Sequence, residues 1–144
     1  MTAPLSSTAR LLGFAGLLPQ IAFVGLQFVH PDPGWTLLAF AYGALILSFL
    51  GGIWWGMAVA RRGPDAGLLA LSVAPTLVAM ALLVGVLLQT TIRWPLVLLG
   101  SAIMLTLLVD HHLMNRGDAP PDWMRLRTPL SLGLGALTIL AGVV

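Results

Sequence analysis

Cysteine, lysine and glutamate are absent from the 144 residues, and charge of either sign is scarce. Without cysteine there is no disulfide, no thiolate metal site and no cysteine nucleophile. The seven basic residues are all arginine and the five acidic ones all aspartate, together 8% of the chain. A soluble domain of this length needs far more charge to cover its surface. The net charge of +2 forms no basic stripe, so nucleic acid is not an expected partner despite a pI near 10.5. Catalytic signatures are missing too. There is no Gly-x-Ser-x-Gly, no glycine-rich phosphate loop, no His-Glu-x-x-His and no second carboxylate beside Asp110 within an apolar run. These absences point to a non-enzymatic protein with no catalytic residue, no metal site and no cofactor beyond a bound lipid.

What the chain has is apolar length. Hydrophobic residues make up 58% and the mean hydropathy is +0.98. Spanning a bilayer core takes about 20 apolar residues. Five segments reach that, at about 10–29, 35–60, 66–89, 94–114 and 123–144. The expected architecture is an all-α integral membrane protein, a five-transmembrane-helix bundle in a single domain over 1–144. Residues 1–9 read as a short tail rather than a secretory signal. Turn chemistry separates the spans: His30-Pro31-Asp32-Pro33-Gly34, Arg61-Arg62-Gly63-Pro64-Asp65, Gln89-Thr90-Thr91 and Asn115-Arg116-Gly117. Short loops make consecutive helices antiparallel neighbours. Asp122 is expected to cap an interfacial turn at 122–127, and Thr128-Pro129 to cap the membrane segment after a bend.

Arginine placement predicts the orientation. Arg10, Arg61, Arg62, Arg116, Arg125 and Arg127 fall on one side and Arg93 alone on the other. The positive-inside rule puts the N-terminus in the cytoplasm and the C-terminus outside, in a bacterial inner membrane. Trp35 and Trp94 then anchor the outer interface, and Trp54, Trp55 and Trp123 the inner one.

Polar residues inside the spans each need a reason. Gly13, Gln20 and Gln27 recur every seven residues on the first span, a face for helix packing or for a ligand. On the second span, Ser48, Gly52 and Gly56 form a small-residue ridge at intervals of four, with Tyr42 and Trp55 nearby. This ridge is expected to pack the first two spans together or to hold a flat apolar ligand or lipid chain. On the third, Ser72 and Thr76 can bond carbonyls freed by Pro75.

The one ionisable cluster is Asp110-His111-His112 on the fourth span. A carboxylate near a helix C-terminus faces the negative end of the dipole and wants a cation. The expected partner is Arg127, tying the fourth span to the fifth; Arg125, Arg61 and Arg62 are alternatives. Three consecutive residues diverge by about 100° each on a helix, so they cannot share one metal ion. Asp110 with a histidine can instead serve as a proton site.

Three stretches resemble one family: Leu12-Gly13-Phe14-Ala15-Gly16-Leu17-Leu18-Pro19, the run from Tyr42 to Gly56, and the run from Pro121 to Leu130. They are similar to the transmembrane protein 69-like family, a domain of unknown function found in bacteria and mitochondria. The resemblance implies a multi-span membrane protein and directs attention to Ser48, Gly52, Trp55, Asp110, Trp123 and Arg127. Two functions are expected from the residues. One is an accessory or assembly component of a larger membrane complex or homo-oligomer, binding lipid or an apolar cofactor. The other is a small proton-linked transporter or channel, with a polar path through Gln20, Gln27, Ser72, Thr76 and Asp110.

Overall fold

The computed structural model describes residues 4–61, 63, 65–88 and 91–144. Arg62, Pro64, Gln89 and Thr90, all within the expected turns, lie outside the described residues. The elements are α1 (Ser7–Ala15), α2 (Leu18–Val29), α3 (Pro33–Ala60), α4 (Ala66–Leu88), α5 (Arg93–Asn115) and α6 (Trp123–Val143). Taken as Ser7–Val29, α1 and α2 make one of five lengths able to cross a membrane; α3 to α6 are the other four. The chain is an all-helical, multi-pass membrane protein.

The first span starts earlier than expected and is broken. Ser6 caps α1 by accepting a hydrogen bond from the Ala9 amide at 3.1 Å. A turn at Gly16-Leu17 separates α1 from α2, because Pro19 has no amide hydrogen to continue the ladder. The hydroxyl of Tyr42 on α3 donates to the Gly16 carbonyl across this break, at 2.5 Å. No residue of α1 is buried, whereas α2 buries Gln20 and Val24.

The last span departs in the opposite sense. No interfacial piece or second cap forms; α6 runs unbroken through Pro129. The proline costs only the amide bond to the carbonyl of Arg125, an exposed residue at the membrane edge, so the helix continues. Asp122 makes no cap bond and pairs instead with Arg10 at 2.5 Å. Asp65, by contrast, caps α4 through the Leu68 amide at 2.9 Å.

Lipid gives little hydrophobic drive for helix association, so close van der Waals approach has to do it. The most intimate seam is α5 against α6. A Cβ built on Gly100 would lie 2.5 Å from the Gly135 carbonyl oxygen, and one on Gly135 would lie 2.8 Å from the Gly100 oxygen. Gly51 meets the Ser72 carbonyl and Pro75 of α4. The expected ridge behaves differently. Nothing lies within 4 Å of a Cβ on Gly52 or Gly56, and Gly13 faces Leu126 and Leu130 of α6. The ridge glycines therefore make no contact with the first span; Gly51, one residue out of phase with them, makes the close approach of α3, and makes it to α4. Ser72 donates to the Leu69 carbonyl at 2.7 Å rather than to the carbonyl freed by Pro75, and Thr76 is exposed.

Phe40, Leu47, Leu96, Leu99 and Ile103 fill the middle of the bundle. A second cluster, with Trp54, Leu68, Leu113 and Trp123, closes the end that carries the α3–α4 and α5–α6 loops.

Candidate functional site

The buried ionisable group lies at that closed end. Asp110 is one turn from the α5 C-terminus and has no exposed surface. Its Oδ2 accepts from Arg127 Nε at 2.8 Å. Its Oδ1 accepts from two indoles, Trp54 Nε1 at 3.0 Å and Trp123 Nε1 at 3.2 Å. Three helices thus converge on one carboxylate. The arrangement follows from helix periodicity. Thr106 and Asp110 are four residues apart on α5; Trp123, Arg127 and Ser131 are spaced by four on α6. Arg127 also donates from Nη2 to Thr106 Oγ1 at 3.2 Å, and the Thr106 hydroxyl in turn donates a hydrogen bond to the Ile103 carbonyl at 2.6 Å. The guanidinium lies 5.9 Å from the Trp123 ring centroid. A buried ion pair this well supplied with donors fixes helices against each other and leaves the carboxylate no free face.

The other sequence candidates separate into places of their own. Arg125, His111 and His112 are exposed and take no part in the cluster. Arg61 goes to the α5–α6 loop instead. Arg61, Asp65, Arg116 and Asp118 close a ring, with Arg61–Asp118 at 2.6 Å and Arg116–Asp65 at 2.8 Å. The Leu68 amide holds the Asp65 carboxyl below its ordinary value; burial opposes this, and Arg116 and then Arg61 add to it. Gln20 donates to the Ala39 carbonyl at 3.3 Å and to Thr138 Oγ1 at 3.0 Å. Gln27 lies at the opposite end of the bundle, in a shallow recess with Asp32 and Arg93. Gly52, Trp55 and Gly56 are exposed on α3, and Ser48 is half-buried. Buried Leu96, Leu99 and Ile103 occupy the middle of the bundle. Among the described residues no group of three His or Asp side chains is placed to hold a metal ion.

Two tryptophans expected as interfacial anchors are buried instead: Trp54 is 3% exposed and Trp123 8%. An indole N–H in hydrocarbon needs an acceptor, and Asp110 supplies it. Trp55, the tryptophan beside the ridge, is 49% exposed. Trp54 was not among the sequence candidates, because two adjacent tryptophans are separated only by helix phase. Thr106 and Ser131 were missed although the i, i+4 spacing from Asp110 and Arg127 singles them out.

Beside the cluster lies a crevice of about 370 Å³ between α1, α3 and α6. Leu12, Ile46, Phe49, Leu130 and Leu134 are among its walls, and Trp123, Arg127 and Ser131 bring the polar atoms. It exists because α1, separated by the break at Gly16-Leu17, leans on α6 and leaves α3 uncovered beside it. From Trp123 to Leu134 it follows α6 for about 16 Å at the helical rise. The Ser131 hydroxyl is buried without a hydrogen-bond partner.

A family model described as "Protein of unknown function (DUF3429)" matches residues 5–143. Over 60 residues the chain is 42% identical to transmembrane protein 69 of Xenopus tropicalis, covering 39% of this chain. The match spans 23% of the length of that curated relative. No solved structure matches the chain.

Proposed function

The chain belongs to the DUF3429 family, and from that premise we propose that it is a non-enzymatic membrane component whose task is to bind a lipid or another apolar molecule in the α1–α3–α6 crevice. The crevice carries the reading: an apolar channel of ligand size, beside a polar cluster built into the bundle, is the usual form of a small-molecule site between helices. An accessory role in a larger membrane assembly fits the exposed glycines Gly52 and Gly56, which leave α3 a surface that a neighbour can approach closely. Arg10, Arg61, Arg116 and Arg125 gather at one end of the bundle and Arg93 at the other. We assign the arginine-rich end to the cytoplasm, with the N-terminus there, and the membrane to the bacterial inner membrane.

The test is extraction in mild detergent followed by mass analysis of everything bound. An apolar molecule should accompany the wild-type chain and be lost from Ala9→Phe, which fills the crevice from α1. The competing reading is a proton-linked transporter through Asp110. A chain that carries no bound mass, but whose proton flux in proteoliposomes disappears in Asp110→Asn, would establish it in place of this one.

A further inference from the structure

Resting on the reading of the crevice as a ligand site, we infer that its ligand is a neutral molecule with a carbonyl head on a long apolar tail. The argument starts from unspent donors. Arg127 uses Nε on Asp110 and Nη2 on Thr106; its Nη1 has no hydrogen-bond partner among the described residues. One turn further along α6, Ser131 is 2% exposed and its hydroxyl is unpartnered. A serine in a helix ordinarily returns its proton to the carbonyl four residues back. Thr138 does so here, to Leu134 at 2.7 Å, while Ser131 does not. Arg127 and Ser131 both border the crevice. A buried hydroxyl without a partner calls for one, and the unused Arg127 Nη1 borders the same crevice.

Charge selects which acceptor. Arg127 and Asp110 already cancel, so the cluster is neutral as it stands. A carboxylate or phosphate would bring a net negative charge into a low-dielectric interior beside Asp110, and its desolvation would go uncompensated. A carbonyl oxygen accepts from Arg127 Nη1 and Ser131 Oγ without adding charge. The remaining walls, Leu12, Leu17, Ile46 and Leu134 toward mid-membrane, take hydrocarbon. An ester of a fatty chain and a quinone with an alkyl tail share this chemistry, and binding can tell them apart.

The experiment uses the full chain in detergent and reads apparent Kd from ligand-dependent thermal stabilisation. Four probes are titrated: methyl laurate, a decyl-substituted benzoquinone, laurate and dodecane. At least one carbonyl probe should bind about tenfold more tightly than dodecane, the worth of a hydrogen bond to a charged donor. The tighter of the two names the source. Ser131→Ala should remove a large part of that preference while leaving dodecane binding and the unliganded midpoint nearly unchanged. Tightest binding by laurate overturns the neutral-head assignment. Equal binding of dodecane and the carbonyl probes, unaltered in Ser131→Ala, overturns head recognition but leaves the crevice an apolar site. No binding by any probe overturns both readings.

Discussion

Two sets of arginine–aspartate contacts lie at the same end of the bundle, and they do different work. Asp110 and Arg127 are enclosed by Trp54, Trp123 and Thr106 and shielded from solvent. Arg61, Asp65, Arg116 and Asp118 form their ring at the rim, with the arginine side chains about a third exposed. The residue types are the same; what differs is the reference each is measured against. Water competes for every member of the ring, so its pairs are worth little. Nothing competes for Asp110 except its three donors, so breaking that pair strands a charge. The inner pair is thus a fixed point for three helices, and the ring is a fastening between two loops.

Asp110→Asn puts the greatest strain on this contrast. It leaves the Arg127 charge buried without its partner and should cost about 3–5 kcal/mol, read as a lowered unfolding midpoint in detergent. Asp110→Leu with Arg127→Met should recover a large part of the loss, since no charge is then left alone. Next in size is Gly135→Val on the α5–α6 seam, where added atoms meet the Gly100 carbonyl; about 1–3 kcal/mol is expected by the same measurement. In the ring, Arg61→Gln should change stability by no more than about 1 kcal/mol. Molar salt, which shortens the screening length to about 3 Å, should abolish even that difference while leaving the Asp110→Asn deficit in place.

The smallest effect concerns pH. The Asp65 carboxyl is held below its ordinary value near 3.8, chiefly by the Leu68 amide. Its stabilisation is therefore fully present above that value and is lost as pH falls through the lower folded one. Stability should be flat in this respect from neutrality down to about pH 5. The acid-side decline should survive in Arg116→Gln, which removes a lesser cause, and vanish in Asp65→Asn. A decline that vanishes in Arg116→Gln would show the ring, not the cap, to be in control.

Much of the fold was legible because lipid is an undemanding judge of detail: length and apolarity suffice to find five spans. The Asp110–Arg127 contact was legible for a related reason, since an intramembrane carboxylate near a helix C-terminus has few cations within reach. What was not legible depends on helix phase and neighbour order. Gly52 and Gly56 have the better spacing, yet Gly51 has the neighbour. Trp55 was favoured by its place on the ridge, yet Trp54 turns toward α5. Gly100 and Gly135, which bring the α5 and α6 backbones together, lie 35 residues apart in sequence with no shared motif. The crevice depends on the break at Gly16-Leu17, which one proline announces only in retrospect, because Pro75 and Pro129 sit inside helices that continue.

The glycine seam has a consequence for how the polar cluster is set. Gly100 and Asp110 are ten residues apart on α5, about 15 Å; Arg127 and Gly135 are eight apart on α6, about 12 Å. The helices run in opposite directions, so both measures are taken from the same crossing toward the same end. The bare backbone contact acts as the zero mark of a vernier: sliding α6 by one turn, about 5.4 Å, would carry Arg127 past Asp110 and bring Trp123 or Ser131 opposite it. Pairing specificity deep in the membrane is thereby written at a distance, in two residues that have no side chain.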